Sequence, residues 1–205
     1  GTHTAVADVA AYGLVAFDSN TKLWQAFGKP LYQDTTRFGD PRPSIRALHR
    51  YQWEGKSYLA IGGKFRMYQN ESVFSILTSV VDPNSLEANW KALDGGGVYH
   101  VQGTYLAPSL SQASRRLGTV NSMTSLDGVL YVGGQFTRAN QTVSLGNVAR
   151  YTLRNASWQL LDMGVNNWVS TLVQDGTWLY VGGNFTRAGN QTVNHVAKWH
   201  IYDQQ

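Results

Sequence analysis

The chain of 205 residues contains no cysteine. This absence excludes disulfides, thiol chemistry and cysteine-based zinc sites, so any stability must come from packing. Charged residues make up only 15% of the sequence, and lysine and glutamate are scarce, which favours strands and turns over helices. No apolar run reaches the roughly eighteen residues of a membrane helix, and no membrane span is predicted.

A concentrated positive charge is also missing. The net charge is +4, but the basic residues are scattered, apart from Arg42, Arg46 and Arg50 and the pair Arg115 and Arg116. A nucleic-acid-binding protein usually gathers lysine and arginine into one stripe among stacking aromatic residues. We therefore predict no nucleic-acid partner.

Motifs that carry chemistry are absent from the sequence as well. It has no zinc-protease, EF-hand, P-loop, nucleophile-elbow or dinucleotide pattern. Several carboxylates, at Glu54, Asp127 and Asp175, fall in predicted turns, and nothing marks a pair that could face a substrate. We predict that the protein is not an enzyme and that it has no catalytic residue, cofactor or metal.

What the sequence does contain is a repeat. The letters LYVGGQFTRANQTV at 130–143 return as LYVGGNFTRAGNQTV at 179–193, and WEGKSYLAIGGKF at 53–65 is a third, partial copy. The copies align on paired glycines, which are Gly62 and Gly63, Gly133 and Gly134, and Gly182 and Gly183. The second and third pairs lie 49 residues apart.

Each copy has the order of parts of a β-hairpin. An acidic residue and a glycine, such as Asp127 and Gly128, separate two apolar runs, and this is a strong hairpin signal because primed turns need positive φ. The pattern predicts one strand through 123–126 and a return strand at 129–133. The glycine pair that ends the return strand predicts a close approach of another backbone or a sharp bend at a crowded position.

Two further strands are predicted in each unit. The third strand is predicted at 147–153 and 194–201, with 8–12 as a third match. The fourth is predicted at 22–28, at 89–93 with Trp90, and at 157–161 with Trp158. Four short antiparallel strands recurring about every 49 residues are typical of β-propeller blades of kelch length.

The residue pattern of the repeat also resembles that of known families. The glycine pair followed by the aromatic Tyr151 and by Trp158 resembles the kelch motif. The pattern YVGG-x-F-T-x-A, followed by N-x-V-A and a tryptophan, is similar to the kelch-like repeats of the fungal cortical cell-polarity marker family. The resemblance covers the last two units clearly, the second unit in part, and only the last two strands of the first unit. It implies an all-β fold of kelch-like, four-stranded antiparallel blades.

The units divide the chain into five segments. We predict a partial blade of two strands at 1–28, a blade at 44–97, an inter-blade insertion at 98–118, a blade at 119–164 and a partial blade at 165–205. Closed propellers have about four to eight blades. The prediction is therefore an incomplete ring or a fragment of a larger propeller.

Asparagines in the Asn-x-Ser/Thr pattern are more frequent than chance predicts. They are Asn70, Asn140, Asn155, Asn184 and Asn190. Most fall beside predicted turns, where a glycan can be accommodated on the surface. The same pattern also suits side-chain capping of turns, which is the structural alternative. We predict N-glycosylation and a secreted or cell-surface location.

Two segments, at 29–43 and 97–118, break the repeat. Insertions gather on one face of a propeller, often the binding face. The candidate partner-binding residues in them are of the types that dominate interface hot spots: Tyr32, Arg37, Tyr99, Tyr105, Arg115 and Arg116. Packing against the propeller, or against other parts of a longer chain, is the alternative.

These observations predict a non-catalytic extracellular glycoprotein segment with a structural or adhesive role. Its blades would hold loops toward a protein or glycan partner. One alternative is a carbohydrate-binding lectin, for which Trp168 and Trp178 are the first stacking candidates. The other is a repeat unit of an extracellular filament that self-assembles through its edge strands.

Overall fold

The structure is a computed structural model, and it describes residues 5–6, 9–10, 14–28, 44–65, 67–68, 71–72, 74–82, 85, 87–93, 96–101, 115–139 and 143–202. Within these ranges the protein is all-β, its strands pair in antiparallel sheets, and there is no helix. The same ranges accordingly hold no helix that is long and apolar enough to cross a membrane. The all-β prediction is confirmed.

The strands, in chain order, have the following bounds. The N-terminal strands are β1 (Ala5–Val6), β2 (Val9–Ala10), β3 (Val15–Asp18) and β4 (Leu23–Ala26). They are followed by β5 (Ser44–Trp53), β6 (Lys56–Lys64), β7 (Met67–Tyr68), β8 (Glu71–Ser72), β9 (Ile76–Val80), β10 (Lys91–Ala92), β11 (Val98–Val101) and β12 (Arg115–Leu117). The second half holds β13 (Thr119–Leu126), β14 (Val129–Gln135), β15 (Arg138–Ala139), β16 (Val143–Ser144), β17 (Val148–Thr152) and β18 (Ser157–Leu160). The last strands are β19 (Val169–Asp175), β20 (Trp178–Gly183), β21 (Arg187–Ala188), β22 (Gln191–Thr192) and β23 (Val196–His200).

Three sheets repeat one order of strands. Sheet I is β5-β6-β9-β10, sheet II is β13-β14-β17-β18, and sheet III is β19-β20-β23. Each is a meander, because the order of the strands across the sheet is the same as their order along the chain. The N-terminal hairpin, β3 with β4, precedes them, and a small sheet of order β12-β11-β15-β16 links the segment before β13 to the connection between β14 and β17.

The predicted hairpin around Asp127 is confirmed. β13 and β14 pair up to Leu126 opposite Val129, and Asp127 and Gly128 turn between them with φ values of 49° and 75°. Two successive positive φ values give the primed turn whose twist matches that of the flanking strands. Glu54 and Gly55 repeat it between β5 and β6, with φ values of 48° and 73°.

The predicted third strand at 8–12 is wrong. Val9–Ala10 pairs with Ala5–Val6, whereas Val15–Asp18 is the strand that pairs with β4. The register settles the equivalence, because Phe17 faces Trp24 as Tyr151 faces Trp158 in sheet II. Residues 8–12 alternate in sequence as a half-buried strand should, but Val9–Ala10 belongs to the hairpin of β1 and β2, which precedes the hairpin of β3 and β4.

The sheets pack in chain order, each through its first strand. β13 lies against β5 and β6 on one side and against β19 on the other. One apolar core, with Met123 and Trp158 among its buried members, lies between sheets I and II, and a second, around Tyr131 and Leu179, lies between sheets II and III. A third core joins sheet I to the N-terminal hairpin through Phe27 and Trp90.

Candidate functional site

Each first strand contains one β-bulge at the same place. The pairing skips Arg46 in β5, Asn121 in β13 and Ser170 in β19. A bulge leaves one residue outside the ladder and redirects its side chain, which is why bulges occur beside binding sites. Because the first strands lie side by side, the three bulges bring one arginine, one asparagine and one serine to the same end of the packed sheets.

These side chains line a cleft of about 460 Å³, here called the bulge cleft. Its described lining consists of Arg46, Thr119, Asn121, Gln135, Trp168 and Ser170. Thr119 is buried, at 6% exposure, whereas Trp168 is 40% exposed. The volume suits one or two sugar rings or a short peptide segment.

Hydrogen bonds hold the middle of the cleft. The Asn121 amide donates from Nδ2 to the carbonyl oxygen of Val169 at 2.7 Å, which fixes this side chain between sheets II and III. Its Oδ1 accepts a longer contact, at 3.4 Å, from the Arg46 guanidinium of sheet I. Asn121 therefore contacts both sheet I and sheet III, and Arg46 itself is exposed.

The groups in the cleft are suited to binding. The described lining residues carry a guanidinium, two amides, two hydroxyls and an indole, and no carboxylate, histidine or cysteine is among them. An arginine binds carboxylates through paired, charge-assisted hydrogen bonds, and an exposed indole offers a flat apolar face. The arrangement fits an anionic ligand that also has hydroxyl groups and one apolar face.

The two tryptophans of the lectin hypothesis have different surroundings. Trp168 lines the bulge cleft. Trp178 lies in β20, where the Lys198 Nζ sits 4.4 Å from its ring centroid and the His200 ring contacts it edge-on at 4.8 Å. The Trp178 ring is thus occupied by its own sheet, and only Trp168 offers a face inside a cleft.

The paired glycines make the close approaches that the sequence predicts. A Cβ on Gly63 or Gly134 would overlap the carbonyl oxygen of Ser44 or Thr119 in the first strand of the same sheet, and a Cβ on Gly183 would overlap that of Trp168, directly before β19. The phenylalanine after each pair is buried, at Phe65, Phe136 and Phe185. The second glycine of each pair is therefore needed for the bulged ladder that forms the cleft.

Tryptophans 90 and 158 are both buried, at 4% and 6% exposure. Trp158 donates from Nε1 to the carbonyl oxygen of Gly96 at 3.0 Å, which ties the fourth strand of sheet II to the segment that follows sheet I. These tryptophans are structural, and neither lines the bulge cleft.

Three of the six predicted partner-binding residues, Tyr99, Arg115 and Arg116, lie in the described part of the chain. Tyr99 lies in β11 rather than in an exposed loop, is 1% exposed and packs against Phe74 with ring centroids 5.7 Å apart. Arg115 and Arg116 belong to β12, which pairs with β11, so that the ends of the predicted insertion at 98–118 are strands. Tyr32, Arg37 and Tyr105 lie outside the described residues.

The glycosylation-type asparagines that the structure describes are all exposed. They are Asn155, Asn184 and Asn190. Asn155 lies in the turn between β17 and β18 and accepts a hydrogen bond from Ser157 Oγ at 2.7 Å, and the backbone N–H of Asn184 donates to the carbonyl of Trp168 at the cleft rim. Asn70 and Asn140 lie outside the described residues.

One titratable side chain lies at each interface between sheets: His49 between sheets I and II, and Tyr131 between sheets II and III. Burial lowers the pKa of His49, whose Nε2 lies 2.8 Å from Ser125 Oγ across the first interface. Burial raises the pKa of Tyr131 to about 12 at the second, and the positive charge of Arg150 opposes part of that rise. Both side chains therefore remain neutral near pH 7 and act as packing groups.

The sequence did not single out the bulge residues. Arg46, Asn121 and Ser170 each follow a β-branched residue near the start of the first strand, and that recurring pair was the available signal. Comparison of the chain with protein-family models and with curated proteins finds no match.

Proposed function

We propose that sheets I and II are kelch-like propeller blades of four strands. Sheet III, with three described strands, and the N-terminal hairpin would be partial blades. The meander order of each sheet supports this, as does the side-by-side packing of the first strands. In a propeller the first strand of each blade lines the central axis. The bulge cleft would then lie at one mouth of that axis, where propellers commonly bind ligands.

We also propose that the protein is a non-catalytic, extracellular scaffold that recognises a glycan or protein partner through the bulge cleft. The observation that carries this proposal is the convergence of three equivalent bulges on one polar cleft with an exposed indole. Its described lining lacks the base or carboxylate pair that hydrolysis would need. The ligand class that its groups fit best is a saccharide with a carboxylate, bound by Arg46 and stacked on Trp168.

Binding of acidic oligosaccharides, measured by glycan array and then by calorimetry, tests this function. We expect Arg46→Gln to weaken binding by about tenfold or more, because a hydrogen bond to a charged group contributes about 1.5–3 kcal/mol. Trp168→Ala should also weaken binding, because it removes the face on which the saccharide stacks. Arg50→Gln is the matched control, since Arg50 is exposed on the same strand but bonds to Ser57 away from the cleft. Absence of any glycan binding, or an equal loss in the control, would contradict the saccharide assignment.

The glycoprotein assignment needs its own measurement. Intact mass of native material, before and after enzymatic deglycosylation, should show glycans at exposed sequons such as Asn155, Asn184 and Asn190. Bare asparagines at all sites would contradict a secreted location and would favour an intracellular adaptor.

The filament hypothesis also has one supporting observation. Sheet III has three strands, and β23 forms an edge of the sheet among the described residues. Edge strands offer backbone groups to another chain. A monomer at all concentrations would count against this role.

A further inference from the structure

The residue that follows each glycine pair occupies an equivalent position at the end of its strand. These residues are Lys64, Gln135 and Asn184. Lys64 pairs with Ser44, and Gln135 pairs with Thr119, in both cases at the start of the first strand of the sheet. Because Gln135 lines the bulge cleft, the equivalence indicates that Lys64 lies at the same end of the packed sheets.

The first glycine of each pair shows the direction in which these side chains project. A Cβ on Gly133 would lie 2.6 Å from a valine of sheet III, and Gln135, two positions further on, lines the cleft together with residues of that sheet. A Cβ on Gly62 would overlap the Val120 side chain of sheet II. Residues two apart on a strand project from the same face. Lys64 therefore projects from sheet I toward sheet II.

Two hydrogen bonds of Ser75 bring Lys64 close to Thr119. The Ser75 carbonyl accepts from the Gly63 N–H at 3.0 Å, and the Ser75 Oγ donates to the carbonyl of Gly118 at 2.8 Å. Lys64 and Thr119 are the next residues after these two glycines. Lys64 is half-buried and lies beside Thr119, at the margin of the bulge cleft rather than in its described lining.

Sheet I thus contributes two cations to this end of the molecule. Arg46 also reaches toward sheet II, because its Nη1 contacts the amide oxygen of Asn121 at 3.4 Å. Neither Arg46 nor Lys64 forms an ion pair with another residue that the structure describes, and the described lining of the cleft contains no carboxylate. Two neighbouring positive charges without a counter-charge favour the binding of anionic groups.

We propose that Lys64 is a second anion-binding residue of the bulge cleft and that the ligand is a saccharide with carboxylates on two successive sugar units. One carboxylate binds to the Arg46 guanidinium in the cleft, and the other binds to the Lys64 ammonium at its margin. A guanidinium binds a carboxylate through two parallel hydrogen bonds, whereas an ammonium acts as a point charge. This inference rests on the proposed function, since it extends the ligand assigned there by one acidic unit.

Calorimetry of the whole chain with two disaccharides tests the second anion site. One probe consists of two galacturonates, and the other consists of one galacturonate joined to a neutral rhamnose. We expect the probe with two carboxylates to bind about fivefold more tightly, as for an ion pair at a partly exposed site. This preference should decrease as salt is added, because salt screens charges that are exposed to solvent.

Substitution of Lys64 separates the two anion-binding residues. Lys64→Gln should abolish the preference for the second carboxylate and leave the affinity for the probe with one carboxylate unchanged, whereas Lys64→Arg should retain the preference. Lys56→Gln is the matched control, since Lys56 is an exposed lysine at the other end of the same strand, about 26 Å from Lys64. Thermal unfolding of each variant verifies that the fold is retained.

The outcomes distinguish this inference from the proposed function. Equal affinity of the unsubstituted chain for the two probes, or an unchanged preference in Lys64→Gln, overturns the role of Lys64. If Arg46→Gln and Trp168→Ala still weaken binding in that case, the proposed function stands. A lack of binding to both probes overturns the proposed function and this inference together.

Discussion

Replacing Gly134 with alanine tests whether the second glycine of a pair is required by contact rather than by conformation. The new Cβ would overlap the carbonyl oxygen of Thr119 and would lie 2.9 Å from its carbonyl carbon and 3.0 Å from the Val120 Cα. All three atoms belong to the backbone of β13, so relief requires the two strands to separate. Separation would break the ladder next to the bulge at Asn121.

The expected loss of stability depends on whether side-chain or backbone atoms must move to make room for the new Cβ. Overpacking costs about 1–3 kcal/mol where side chains can shift, and here a backbone must shift, so we expect a loss of about 3 kcal/mol in the free energy of unfolding. For a chain of this size that corresponds to a fall of about 6–12 °C in Tm. Thermal unfolding followed by circular dichroism measures it.

Gly176→Ala is the matched control for Gly134→Ala. Gly176 has φ 55° and no atom within 4 Å of an added Cβ, so the substitution costs only the left-handed conformation, about 1 kcal/mol. We expect a Tm decrease of about 2–4 °C. If Gly134→Ala lowers Tm no more than Gly176→Ala does, the steric argument for the glycine pairs is refuted.

Three further outcomes are expected. Trp158→Phe leaves the Gly96 carbonyl without its indole donor and should cost about 2 kcal/mol in chemical denaturation, whereas Trp178→Phe, in a partly exposed ring, should cost less than half of that. Because the folded pKa of His49 lies below its unfolded value of about 6.5, the unfolded chain binds more protons as pH falls through that window, so stability should be full above it and decrease below it. His49→Gln should flatten this decrease between pH 7.5 and 5, and an unchanged slope would contradict the assignment. A Cβ on Gly133 would lie 2.6 Å from Val169 Cγ1 of sheet III. In a double-mutant cycle, Val169→Ala should therefore recover part of the stability lost by Gly133→Ala, and strictly additive losses would argue against a contact between these two positions.

The predictable part of the fold is the part fixed by neighbours in sequence. Asp127 and Gly128 specify a turn through their own φ values, and the alternation on either side then fixes the register. The strand before β4 could not be placed in this way, because 8–12 and 15–18 both alternate suitably and only the pairing with Trp24 decides between them.

The candidate site was not predictable for a different reason. A bulge is a property of two paired strands, since it appears only when the residues of β13 are counted against those of β14. The cleft then needs bulges from three sheets whose residues are more than forty positions apart in the chain. Trp168 and Trp178 are both tryptophans beside a predicted strand, and the sequence does not show that the first lines a cleft while Lys198 and His200 pack against the second.

The bulges have one more consequence. Residues 46, 121 and 170 take no part in the ladder between the first two strands of their sheets, and the apolar cores do not include them. Arg46 and Ser170 are exposed, so substitution at these two positions should change the surface chemistry of the cleft with little effect on folding, whereas Asn121 also bonds to the carbonyl of Val169. A library randomised at positions 46 and 170 would keep one architecture while sampling many specificities, in the way that variable loops do on an antibody framework.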